Sequence, residues 1–195
     1  MRSPTLQARR RASGFTMLEA LVSILILSFG LLGLAGLFVS GAQNNRNAYL
    51  RTVATQQAYN MADRMRTNLS GLTVLIPTVP YYHLPTAVQS NCYTNAAICD
   101  SPTMAKNDYY EWNDPASPIS NPSLLPGGYG VVCIDSTPND GAWNGTAVTH
   151  ACDGVGTSYA IKVWWLDDRR SGGATLATND PLAYRLFVAT LQPQP

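Results

Sequence analysis

Two hydrophobic patterns follow one another without a break in the first third of the chain. Between residues 20 and 45 no side chain carries a charge, and apolar residues fall on every face that a helix would present. These 26 residues would span roughly 39 Å as a helix, where about 20 mostly apolar residues suffice to cross a bilayer. Beyond them, Leu50, Ala54, Ala58, Met61, Met65, Leu69 and Leu72 recur at spacings of three or four, the period of an amphipathic helix. Gln56, Asn60, Asp63 and Thr67 fall on the other side. No proline occurs between Pro4 and Pro77, and Gly71 is well placed as a C-terminal stop. The pattern predicts one helix from about residue 15 to about residue 70, roughly 84 Å long. Its first half is apolar all round; its second half carries one apolar stripe.

Such a stripe needs a partner, which the rest of the chain must supply. Residues 77–128 are rich in Pro, Asn, Ser and Asp and show no sustained period, so they read as a long loop region. Strand signals follow. Tyr129-Gly130-Val131-Val132-Cys133-Ile134 comes after the turn Pro126-Gly127-Gly128, residues 158–165 begin with alternating faces, and residues 184–191 follow the turn Asp180-Pro181. Three antiparallel strands against the stripe of a long helix make an α+β domain. Trp164 and Trp165 would point to opposite faces, one into the core and the other either exposed or covered by the 77–128 loop. Asp167-Asp168-Arg169-Arg170 reads as a polar hairpin tip, with partner binding as the alternative.

Charge separates a further element. Arg2, Arg9, Arg10 and Arg11 precede Gly14, where there is no acidic residue. Without them the chain holds nine basic and twelve acidic side chains, a balance of −3 instead of +1. No basic cluster survives elsewhere, which excludes an ordinary nucleic-acid binder. Arginines ahead of an apolar span place the N-terminus in the cytoplasm and the bulk of the chain across the membrane. The four cysteines, Cys92, Cys99, Cys133 and Cys152, all fall in that exported part, and an even number there reads as two disulfides. Three pairings are possible; Cys92–Cys99 and Cys133–Cys152 close the shorter loops. The second would contribute roughly 3 kcal/mol if unstrained.

A secretory signal places its cleavage site after the apolar core. Here the candidate cut comes before it. Gly14-Phe15-Thr16-Met17-Leu18-Glu19 resembles the class III signal of type IV prepilins: a basic leader, then Gly, Phe, Thr, two apolar residues and Glu. The resemblance implies that prepilin peptidase cuts between Gly14 and Phe15 and methylates the new amine of Phe15. It also assigns Thr16 and Glu19 to assembly and registration of the subunit. A carboxylate in the membrane is costly and is usually paired and functional. A freshly exposed ammonium at Phe15 would lie four residues from Glu19 and be neutralised by it, within one chain or between neighbours. The bland alternative is a glutamate that snorkels at the interface. Gly30, Gly33 and Gly36 either permit close helix packing in a fibre, or weaken helical order there, or reflect only the frequency of glycine in membrane helices.

Further motifs narrow the resemblance. Met17-Leu18-Glu19-Ala20-Leu21-Val22, the stretch 30–37, Gln57-Ala58-Tyr59-Asn60-Met61-Ala62-Asp63-Arg64-Met65-Arg66-Thr67-Asn68, Trp112, Leu125-Pro126-Gly127-Gly128-Tyr129-Gly130 and residues 159–165 are similar to the PilV family of minor type IV pilins. Coverage is strong over 14–70, patchier over 108–191 and absent over 73–107. Major pilins usually carry proline where Gly36 stands, a departure that fits a minor component. The family implies a subunit of the inner membrane, and then of the pilus fibre or tip. It would help prime assembly with other minor pilins and the major pilin and help present a PilY-type tip adhesin. The expected organisation is a cleaved leader (1–14), a transmembrane and fibre-core half-helix (15–42), an amphipathic half-helix (43–71) and a periplasmic, disulfide-containing α+β head (72–195), which makes the fold type IV pilin-like. Two rivals remain: a minor pseudopilin of type II secretion, and a membrane-anchored periplasmic binding module that never enters a fibre.

Catalytic sets are missing from the sequence. There is no Gly-x-Ser-x-Gly elbow, phosphate-binding glycine loop or His-Glu-x-x-His helix. His83 and His150 are the only histidines, and His150 with Cys133 and Cys152 matches no common zinc spacing. Asp135, Asn139, Asp140 and Asp153 are rich in oxygen ligands, but their spacing is not that of an EF-hand loop; a solvated turn is expected there. No cofactor and no metal are expected.

Overall fold

The computed structural model describes residues 14–71, 92, 99–113, 119, 124–143, 148–149, 152–167 and 184–192. The chain divides into two units, Met1–Asn44 and Asn45–Pro195. The helix α1, Met17–Thr67, runs through both and passes into a 3-10 turn at Leu69–Gly71. Every residue of 17–44 is exposed, consistent with a surface that carries no periodic polar face. In the second half the stripe is buried as its spacing predicts, at Leu50, Ala54, Ala58, Met61 and Met65. Leu69 departs from it: the helix has ended at Thr67 and this leucine is 46% exposed. Leu72 lies outside the described residues.

The stripe packs on a three-stranded antiparallel sheet of β1 (Tyr129–Ile134), β4 (Tyr159–Leu166) and β5 (Tyr184–Leu191), with β4 in the centre. Val132 pairs with Ile161, and Ile161 with Ala189. By the two-residue alternation of strands these three, with Tyr159, Val163, Trp165 and Leu191, face α1. The α+β arrangement expected from the sequence is the observed one.

Two elements were not expected. Within the segment read as loop lies α2, Ser101–Asn113, which joins the core through Ala105, Tyr109 and Trp112. Its start is chemically ordinary: the Thr103 N–H donates to the Asp100 side chain at 3.0 Å, an N-cap, and Pro102 stands in the first turn, where no intrahelical donor is needed. The second is a short hairpin, β2 (Ala142–Trp143) with β3 (Val148–Thr149). Trp143 belongs to a second cluster on the other face of the sheet, with Val131, Cys133 and Trp164. Its ring stacks on Tyr129 at 4.2 Å. Trp164 and Trp165 do face opposite ways, yet both are buried; Trp164 lies in the cluster with Trp143 rather than exposed.

Backbone approaches explain two glycines of the 125–130 motif. A Cβ on Gly130 would stand 2.6 Å from the Trp112 ring, and one on Gly128 would stand 1.8 Å from the Ile119 carbonyl oxygen. Trp112 is itself fixed, donating from Nε1 to the Gln57 carbonyl oxygen of α1 at 2.9 Å. Arg64 adds a second tie between the helices, reaching Asp108 at 3.0 Å and Glu111 at 3.1 Å.

Candidate functional site

Gly14, Phe15 and Thr16 precede α1 in irregular backbone and are exposed, so the Gly14–Phe15 peptide is accessible and free of helical hydrogen bonds. Thr16 has a local structural role. Its Oγ1 accepts from the Glu19 backbone N–H at 3.3 Å, the N-cap bond that satisfies one of the orphan donors of a helix start. Thr-x-x-Glu is the sequence signature of a capping box, and that spacing is the signal by which the cap can be recognised. Glu19 therefore sits in the first turn, where a helix favours negative charge. No described side chain pairs with its carboxylate.

The apolar half of α1 is long and hydrophobic enough to cross a membrane, and its most apolar stretch is 0% buried. Two of its three serine hydroxyls are satisfied locally: Ser23 donates to the Glu19 carbonyl and Ser28 to that of Ile24, each at 2.7 Å. Such back-bonding removes the cost of a bare hydroxyl in hydrocarbon. Nothing lies within 4 Å of a Cβ built on Gly30, Gly33 or Gly36. The fold of the single chain does not require glycine there.

The head tells a different story about charge. Lys162, on the central strand, is fully buried. Its Nζ lies 2.5 Å from Asp135 Oδ2 and 2.8 Å from Asp140 Oδ1, and it donates to the Asp140 carbonyl at 3.1 Å. Lys162 and the Thr137 hydroxyl hold the Asp140 carboxyl below its ordinary range. Asp153 accepts from the Ser136 hydroxyl and from the backbone N–H groups of Ser136 and Val155. Its carboxyl is lowered to about 2 by these bonds, the hydroxyl contributing most. In the 135–140 region and at Asp153 the expected solvated turn is present, with Ser136, Thr137, Asn139, Asp140 and Asp153 exposed and Asp135 buried. Three of its acids are committed, two to an internal lysine and one to a neighbouring loop, while Asn139 is exposed. Among the described residues no group of three His, Cys, Asp or Glu could hold a metal ion.

Cys92 is bonded to Cys99 and Cys133 to Cys152. The second bridge ties β1 to the loop that carries Asp153, and Gly154 N–H adds a bond to the Ile134 carbonyl at 3.0 Å. Asp167 is buried and accepts from Arg185 Nε at 2.6 Å, which anchors the start of the predicted polar tip. Asp168, Arg169 and Arg170 lie outside the described residues, as do His83 and His150.

Residues 9–35 match the prokaryotic N-terminal methylation motif. No curated protein and no solved structure matches the chain.

Proposed function

We propose that the chain is a minor pilin of a type IV pilus, cut between Gly14 and Phe15 by prepilin peptidase, methylated at Phe15 and drawn from the inner membrane into the fibre. The N-terminal methylation motif at the head of an apolar helix supports a prepilin-type structural protein. The finer reading is supported chiefly by one observation: Glu19 stands in the first turn of an uncovered apolar helix, with no partner among the described side chains.

The chemistry follows from that position. Cleavage would create an ammonium at Phe15, immediately before the Thr16 cap. The positive end of the helix dipole disfavours a cation there, and the membrane disfavours it further. Glu19 answers both. When the pair forms between neighbours, it sets the axial register of an incoming subunit. Open space at Gly30, Gly33 and Gly36 fits close approach of another helix, since packing within the chain leaves these positions free. The PilV-like motifs and the absence of proline at position 36 favour the minor subunit, working with other minor pilins, the major pilin and a PilY-type tip adhesin.

Mass spectrometry of the N-terminal peptide from native membranes tests the processing step. A chain beginning at N-methylated Phe15, and an unprocessed one when the peptidase is absent, are expected; an intact leader in its presence would overturn the reading. Gene deletion tests the assignment. Loss of surface pili supports it, whereas loss of protein secretion with pili intact reassigns the chain to a type II pseudopilin.

A further inference from the structure

We infer that a cavity between α1 and the β4–β5 pair, just past the apolar run, holds the phosphate of an anionic phospholipid headgroup. The cavity, about 320 Å³, is lined by Asn47, Arg51, Trp165, Asp167, Arg185 and Phe187. Asn47 and Arg51 are one turn apart on α1 and so share a face. Asn47 is only 8% exposed, yet no described residue hydrogen-bonds its side-chain amide. Its amide lines the open space of the cavity, where an N–H without a protein partner can donate to an acceptor placed there. Arg51 is exposed and no described acidic side chain pairs with it. Arg185 commits Nε to Asp167, which leaves its terminal nitrogens as donors. Two guanidinium groups against one carboxylate give the cavity a surplus positive charge. Guanidinium forks match phosphate oxygens well, and Trp165 and Phe187 supply an apolar wall beside them.

Depth along the helix selects a lipid as the source of that anion. The uncharged run ends at Asn45, and Asn47 and Arg51 follow two and six residues later, roughly 3 and 9 Å along the axis. A run of roughly 39 Å exceeds the hydrocarbon thickness of about 30 Å and approaches the 40–45 Å that includes both headgroup layers. Helical side chains lean toward the N-terminus, so Arg51 reaches back toward the layer where phosphates lie. A subunit held in this way would be stationed at a fixed depth before assembly.

This inference rests on the membrane residence proposed for the chain, and the test separates the two. The full chain is placed in nanodiscs of equal parts phosphatidylglycerol and phosphatidylcholine, and the lipids retained are counted by native mass spectrometry. Wild type is expected to retain one phosphatidylglycerol in preference to phosphatidylcholine by about fivefold, the effect of one basic side chain near an anionic surface. Arg51→Gln and, independently, Asn47→Leu are expected to bring the two lipids to parity, whereas Arg66→Gln, with its partner Asp63 elsewhere on α1, keeps the preference. Near-UV circular dichroism matching wild type shows that a variant is folded. Equal retention of both lipids by wild type, or a preference that survives both cavity variants, overturns the lipid site while leaving the membrane helix standing. A cross-link from position 51 to an acidic side chain of a second copy, with no lipid preference, also overturns it and assigns the cavity to a neighbour. Failure to enter nanodiscs overturns both readings.

Discussion

Two regions of this molecule each carry a charge where charge is expensive, and they treat it in opposite ways. In the head, Lys162 is buried in the central strand, where its ammonium donates to two oxygens of Asp140 and contacts the Asp135 carboxylate. In the apolar half of α1, Glu19 has no counter-charge among the described side chains. The same division holds for packing. No residue of 17–44 is buried, whereas the stripe from Leu50 to Met65 is covered by the chain's own sheet and second helix. What the head needs, it supplies itself. What the N-terminal half needs must come from a membrane, a processed N-terminus or another subunit.

The largest expected effect breaks the head's side of this comparison. Lys162→Met keeps most of the side-chain volume but leaves the Asp135 carboxylate buried and unanswered, which costs about 3–5 kcal/mol. Urea unfolding of the full chain in detergent should show the loss, and Lys162→Met with Asp135→Leu should restore most of it, because a buried pair is often replaceable by apolar groups. A single variant as stable as wild type would mean that the cluster contributes little.

Glu19→Gln is the complementary change. An ammonium left unanswered in the membrane costs roughly 2.5–3.5 kcal/mol, so the share of subunits recovered in sheared fibres, against those left in membranes, should fall on the order of a hundredfold. The unfolding midpoint of the head should not move. Normal incorporation of this variant would sink the registration role.

Glycines sharpen the contrast at smaller cost. Gly128→Ala drives a Cβ into the Ile119 carbonyl, and overpacking of this kind costs about 1–3 kcal/mol. Gly33→Ala meets nothing within the chain, so thermal unfolding should register the first and not the second. Fibre recovery, rather than stability, is where Gly33→Ala should be felt if another helix packs there.

The unequal legibility of the two regions has the same origin. Everything at the N-terminus is local in sequence: the leader, Thr16, Glu19 and the apolar run follow one another directly, and charge, motif spacing and unbroken hydrophobicity report them without any long-range contact. The strands also announced themselves, since β1 and β5 begin and end where their β-branched and aromatic runs do. By contrast, the apolar residues that α2 buries are only Ala105, Tyr109 and Trp112, and two more of its buried positions are the polar Asn107 and Asn113, so too few apolar positions recur to raise a period above a Pro- and Asn-rich background. Asp100-Ser101-Pro102, a cap followed by a first-turn proline, was the signal available. The burial of Lys162 and Trp164 could not be read from alternation. Both faces of β4 are covered, and the second cover comes from Trp143, Cys152 and Tyr184 around Trp164 and from Asp135 and Asp140 at Lys162, residues distant from β4 in sequence. The free amide of Asn47 is hidden for the same reason: only the fold brings it to Arg185 and Trp165.

The smallest expected effect concerns how those loops respond to acid. Asp153 is exposed, so its contribution rests on hydrogen bonds rather than on desolvation. Its carboxyl is lowered from 3.8 to about 2, first by the Ser136 hydroxyl, then by the backbone N–H groups of Val155 and Ser136. A folded-state value below the unfolded one stabilises the fold in full above about 3.8 and loses that contribution as pH falls through about 2. Asp140, lowered by Lys162 and Thr137, weakens in the same direction. Acid therefore loosens the 135–140 loop from both sides before the apolar core is affected. Carboxyl carbon NMR should place the Asp153 titration near 2, and Asp153→Asn should flatten the decline in melting temperature between pH 4 and pH 2. A variant whose acid profile overlays that of wild type would show that the Ser136–Asp153 contact does not persist in solution, and the Cys133–Cys152 bridge would then be left as the principal tie holding that loop to β1.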